Sequence, residues 1–246
     1  MKIARYFRTA TLSLFLLAAI LGANAFSFSP MTTSISPSGA AAVITYKVTN
    51  ESDVQTAVSI KVTTRTIDAS GVESNEPADK LFLVFPARVV LKPNSSQNVK
   101  VQYRGNPAIS AEAAYRVIAE QLPIDFSKST ASGVNILLTY VAALYVTPKN
   151  VEPHLVFGSA TGMELDGKQG LIVTVRNAGT KHALISNPLI RINQSSGTAP
   201  LEIAGESLAG IDGQNLLALS ERTFFVPWDT AVTGATYEGA FNAEIE

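Results

Sequence analysis

Between Gly133 and Pro148 the chain reads Gly-Val-Asn-Ile-Leu-Leu-Thr-Tyr-Val-Ala-Ala-Leu-Tyr-Val-Thr-Pro, a run with hardly any polar register. Val134, Ile136, Leu138, Tyr140, Ala142 and Leu144 fall on one alternating side, and Leu137, Val141, Ala143 and Tyr145 on the other. A strand with one wet face alternates apolar with polar residues. This one does not, so both of its faces need apolar surroundings. Either the strand is buried between two layers of its own protein, or part of it is lent to a partner.

Residues 1–25 read as a secretory signal. Lys2, Arg5 and Arg8 supply the positive start, Thr11–Gly22 the short apolar stretch, and Ala23-Asn24-Ala25 the small residues of a cleavage site. Cleavage there starts the mature chain at Phe26. It takes away three bases and no acids, leaving 16 Lys+Arg against 20 Asp+Glu and a formal charge near −4. Without a basic excess to neutralise phosphates, nucleic acid is an unfavourable partner. The chain has no cysteine, so an exported protein of this sequence relies on packing alone. No membrane span is expected after the signal is removed.

Strand signals then dominate. Val43–Val48, Ala57–Thr66, Leu81–Phe85, Ser96–Tyr103, Tyr115–Glu120 and the run 134–146 are rich in Val, Ile, Thr and aromatics, with turn residues between them. This spacing predicts an antiparallel sandwich over 26–148. Thr147-Pro-Lys-Asn-Val-Glu-Pro153 reads as a break, with the linker at 149–153. Beyond it Gly170–Asn177, Ala183–Ile192, Leu216–Leu219, Thr223–Pro227 and Tyr237–Ile245 predict a second sandwich over 154–246. Two stretches, Tyr46–Asn50 and Val173–Asn177, each end a strand in Asn before a small turn. The fold class expected is all-β, two sandwiches in series.

The chemistry of an enzyme is hard to find. His154 and His182 have no Cys or second His at ligand spacing, which disfavours zinc and reads as two solvated histidines. There is no nucleophile elbow and no phosphate-cradling glycine loop. Glu112, Glu120 and Asp125 read as acids on a solvated face, and the single Trp228 gives little support to a carbohydrate site. What remains is a binding protein without metal or nucleotide.

Three motifs in order carry a family resemblance: Phe85-Pro86-Ala-Arg88-Val-Val-Leu91-Lys-Pro93 running on to Val101, then Tyr115-Arg-Val-Ile-Ala-Glu120-Gln-Leu-Pro123, then the apolar run ending at Pro148. Together they resemble the first domain of PapD-like periplasmic pilus-assembly chaperones, in a divergent, archaic-like branch. The resemblance implies two immunoglobulin-like sandwiches set as a boomerang with a cleft between them. It implies capture of pilus or surface-fibre subunits by donor-strand complementation, followed by delivery to an outer-membrane usher. Its donated residues fall on Val134, Ile136 and Leu138, with Tyr140 as a fourth, leaving Leu137, Val141 and Tyr145 for the chaperone's own core.

The family's two carboxylate-holding bases fall on Ser34 and Ala143, so that anchor is missing here. Arg116 is the first candidate to replace it, because its strand neighbours the donor strand in this fold. Arg88, Lys100 and Arg104 come after it. The competing reading of Arg116 is a surface charge paired loosely with Glu112 or Glu120. The rival to the chaperone as a whole is a fibre or surface subunit, which should be one incomplete sandwich with an N-terminal donor extension.

Overall fold

The computed structural model describes residues 26–123, 136–193 and 200–245. The first half holds β1 (Phe26–Ser29), β2 (Thr32–Ile35), β3 (Val43–Asn50), β4 (Thr56–Thr64), β5 (Thr66–Ile67), β6 (Glu73–Ser74), β7 (Phe82–Phe85), β8 (Arg88–Leu91), β9 (Ser96–Tyr103), β10 (Ala113–Leu122) and β11 (Thr139–Val146). One sheet runs β1-β3-β9-β7 and the facing sheet β2-β11-β10-β4-β8, while β5 and β6 form a separate small hairpin. Alternation sets the core: Tyr46 and Val48, Val99 and Val101, Val58 and Ile60, and Val117 and Ala119 point between the sheets, all buried. The chain changes sheet between β1 and β2 at Pro30, which has no N–H to give a ladder.

The second half holds β12 (Leu155–Leu165), β13 (Lys168–Asn177), β14 (Ala183–Ile192), β15 (Leu201–Ala204), β16 (Asn215–Leu216), β17 (Glu221–Pro227), β18 (Thr236–Tyr237) and β19 (Gly239–Ile245). Its sheets run β17-β13-β12-β18 and β15-β14-β16, with β19 also paired to β14. A separate core of Leu171, Val173, Val175, Ile185, Ile190 and Ile192 fills the space between them. The fold is thus all-β, two sandwiches, as the strand spacing implies.

Some elements escape the sequence. Strand β12 is eleven residues long but carries Gly158 and Gly162, which weaken any strand pattern. Both glycines have tertiary causes. The register shifts between Phe157 and Ser159, and a Cβ at Gly162 would lie 2.0 Å from the Val232 carbonyl oxygen. The last strand of the first sandwich is also shorter than expected, beginning at Thr139; Val134 and Asp125 lie outside the described residues, as does the signal segment 1–25. Between β11 and β12, Thr147–His154 carries no strand. It is nevertheless tied down: Val151 is buried, and Glu152 accepts hydrogen bonds from Thr180 and Lys181.

Candidate functional site

Strand β11 pairs antiparallel with β10 along its whole length, from Glu120↔Thr139 to Ala113↔Val146. Residues directly opposite share a face, so Tyr140, Ala142 and Leu144 point the same way as Ala119, Val117 and Tyr115, into the first core. The expectation that Leu137, Val141 and Tyr145 fill that core is therefore reversed. Leu138 and Tyr140 pack against it instead, and the Tyr140 hydroxyl donates to the Phe26 carbonyl at 2.7 Å. Ile136 is 70% exposed, Leu137 45% and Val141 44%. Ala143 and Tyr145 face the second sandwich and meet Leu217 there.

The other side of β11 is only half used. Strand β2 runs parallel to it from Thr32↔Ala143 to Ile35↔Val146 and stops. The Ala143 N–H donates to the Met31 carbonyl at 2.8 Å and the Thr147 N–H to Ile35, so odd-numbered residues turn their backbone groups to this side. Thr139 and Val141 turn theirs the same way, but no strand among the described residues meets them. An open edge with Met31, Ile136, Leu137 and Val141 exposed around it invites another strand.

The edge ends at a charged cleft. Register places Ser34 beside Tyr145 on one flank of β11 and Arg116 beside Ala143 on the other. Arg116 does not pair with Glu112 or Glu120, as the competing sequence reading has it. Its Nε donates to Glu73 Oε1 at 2.8 Å and its Nη2 to Glu73 Oε2 at 2.6 Å. Arg65 donates to the same Oε2 at 2.9 Å and, through Nη1, to the Tyr145 hydroxyl at 3.0 Å. The Arg116 hydrogen bond, with further help from Arg65, holds the Glu73 carboxyl down at about 2 despite partial burial. Neither Glu73 nor Arg65 stands out in the sequence, because Glu73 sits in a short hairpin, with Arg65 just before it, whose place over the sheet is set by tertiary contacts.

Of the other bases, Arg88 is exposed on the edge strand β8, Lys100 is exposed on β9 of the opposite sheet, and Arg104 follows that strand. None of the three lies on a strand next to β11.

The acids and histidines also need correction. Glu120 is exposed and meets Lys61 at 3.4 Å, as a solvated acid should. Glu112, by contrast, is buried, and joins the two sandwiches. Its Oε1 takes His182 Nδ1 at 2.5 Å and the His182 N–H, and its Oε2 takes the Thr147 hydroxyl at 2.8 Å. The His182 ring stacks on Tyr145 with centroids 3.9 Å apart, so this histidine is not a solvated one, whereas His154 is exposed. Burial alone would raise the Glu112 carboxyl, and the hydrogen bonds from His182 and Thr147 hold it below the ordinary range. A groove of about 390 Å³ opens alongside, lined by Arg65, Ile67, Glu112, Ala114 and Leu217. No group of acids and histidines among the described residues could hold a metal, and none of their helices is long and apolar enough to cross a membrane.

The described residues thus form two β-sandwiches, with the half-paired strand β11 ending where they meet. Residues 27–152 match the pili and flagellar-assembly chaperone family, PapD N-terminal domain, and the chain belongs to that family. A search of curated proteins by sequence finds no match. Solved structures agree on the fold. The class 5 fimbriae chaperone CfaA superposes with a TM-score of 0.57 at 14% identity, over 90% of this chain and 98% of that one. A chain of the CsuC–CsuE chaperone–tip adhesion subunit complex from the archaic Csu pili of Acinetobacter baumannii gives 0.54 at 15% identity, over 85% and 92%. A chain of the Salmonella enterica SafA pilin–SafB chaperone complex gives 0.52 at 14% identity, over 91% and 98%.

Proposed function

We propose that this pilus-assembly chaperone works in the periplasm by donor-strand complementation, holding fibre subunits that lack a strand and passing them to an outer-membrane usher. The observation that carries this reading is the open edge of β11 at Thr139 and Val141, next to exposed Ile136. Main-chain bonds along such an edge pair with a subunit strand whatever its sequence, while alternate side chains enter the subunit's unfilled groove. Ile136 is the best placed of the donated residues, with Val134 before it. Each such side chain contributes about 1.5–3 kcal/mol when buried. Leu138 and Tyr140 serve partly as the chaperone's own core. In place of the bases missing at Ser34 and Ala143, Arg116 takes the subunit's terminal carboxylate. No bond is made or broken, so neither catalysis nor a cofactor enters. A fibre subunit should lack its last strand, and here β11 completes the first sandwich, which speaks against that rival.

The test is Ile136→Asp, expressed with signal intact and purified from periplasm. Its circular dichroism should match that of the parent, and the co-purifying subunit, identified by mass spectrometry, should be lost, because a charge would enter a dry groove without a partner. Undiminished capture by the folded variant would refute the edge as the binding element.

A further inference from the structure

The reading of Arg116 as a carboxylate anchor meets an obstacle in this structure: both oxygens of Glu73 already fill it. Arg116 gives two of its N–H groups to Glu73, and Arg65 gives a third. With side chains only 19% and 9% exposed, neither arginine offers a second carboxylate an open approach around Glu73. An arginine fork bound side-on by a carboxylate is the geometry a partner's carboxylate would itself adopt.

Resting on the chaperone reading above, we infer that Glu73 stands in for the subunit's terminal carboxylate, so that the β5–β6 hairpin is an intramolecular plug that leaves the Arg65–Arg116 pair when a subunit binds.

Three features support this. The β5–β6 ladder has two residue pairs, Thr66↔Ser74 and Ile67↔Glu73, with the Asp68 N–H to the Val72 carbonyl at its tip and the Thr64 N–H to the Glu76 carbonyl at its base, and it joins neither large sheet; a two-stranded hairpin of this length is marginal in water. Its tip leans on the second sandwich, where the Thr223 N–H donates to the Ala69 carbonyl at 2.8 Å, so it spans the cleft that a subunit must enter. Thr63 lies directly across from Arg116 on β4, is 8% exposed and, among the described residues, has no hydrogen-bond partner for its hydroxyl. That gives the cleft a donor which Glu73 does not use.

The exchange of one carboxylate for another leaves the charge of the pair unchanged, so the plug does not abolish binding but sets its threshold. A hairpin closed about nine-tenths of the time weakens apparent affinity about tenfold. It also favours ligands that bring a free terminal carboxylate together with a strand, since only these recover on the arginines what the departing Glu73 gives up.

The probe is the acetylated hexapeptide Thr-Val-Thr-Val-Thr-Val, with its C-terminal carboxylate free or amidated, titrated calorimetrically into the full mature chain. Glu73→Gln should bind the free acid about tenfold more tightly than the parent does, and should leave the amide unchanged. Equal tightening for acid and amide, or none for either, would overturn the plug. Binding of the amide by the parent protein would still support the strand edge, so the two readings fail separately. Because the chain has no cysteine, Ala69→Cys with Thr223→Cys gives a single disulfide that pins the hairpin shut. Oxidation should remove the preference for acid over amide, and reduction should restore it. A preference that survives oxidation would show that the carboxylate binds without the hairpin leaving.

Discussion

The two sandwiches are built on one device and used differently. Asn50 ends β3 and Asn177 ends β13, and both are fully buried. In each case the amide group donates to the carbonyl four residues on, Val54 or Lys181, at 2.7 Å. It also reaches two successive carbonyls of a distant segment: Leu91 and Lys92 for Asn50, Leu216 and Leu217 for Asn177. The side-chain oxygens accept from Ser52 and Thr56 in the first sandwich, and from His154 and Gly179 in the second. What differs is the core and the closing strand. Phe26, Phe28, Tyr46, Phe82, Tyr103 and Tyr115 fill much of the first core, while the second is largely aliphatic. Among the described residues, only the first has a strand that closes its core with one face and lines the cleft with the other. The comparison teaches that the frame is shared and the function lies in how β11 is finished.

The largest effect should come from breaking the shared device. Asn177→Ala and Asn50→Ala each strand several buried backbone groups and should cost roughly 2–4 kcal/mol. Trp228 is the only tryptophan and packs against the second core, so its fluorescence reports that sandwich alone. In urea, Asn177→Ala should lower the Trp228 midpoint and Asn50→Ala should mainly lower the transition seen by circular dichroism. Equal shifts of the Trp228 signal by both variants would show one cooperative unit, and the contrast between sandwiches would lose its thermodynamic meaning.

A middle-sized effect should follow from His182→Ala, which removes the ring that bonds Glu112 and stacks on Tyr145, one of several contacts between the halves. Glu112 would remain buried with the Thr147 hydroxyl and the backbone N–H of residue 182 but without the imidazole, at a cost of about 1–3 kcal/mol. The two transitions should then move apart. If they stay superimposed, Glu112 and His182 do not couple the sandwiches.

The smallest effect is that of acid on the hairpin. Glu73 has an ordinary value of 4.5 and is held at about 2 in the folded protein. A carboxyl lowered by folding contributes its full stability above the ordinary value and loses it as the pH falls through the folded one. Thermal stability should therefore fall between about pH 4.5 and pH 2, and fall less steeply in Glu73→Gln. Parallel curves for the two proteins would mean that the ion pair adds nothing to the first sandwich.

Much of the architecture was legible in the residues because it rests on local pattern. Ser96–Tyr103 and Ala183–Ile192 are strands over the residues their sequence marks, since alternation and β-branched side chains act within a few positions. The repeated Asn was visible too, though its meaning was not, because its partners lie some 40 residues further on. Strand β12 was lost for a related reason: its glycines answer to Val232 and to a bulge, not to their neighbours. The apolar run 134–146 by itself said that both faces of one strand are in demand. It did not say which face looks inward, since a period of two is symmetric and only the register against Val117 and Ala119 breaks the tie. Arg116 could be nominated from its strand, but its partner could not. Glu73 is 43 residues away, and only the folded hairpin brings that carboxylate onto the arginine.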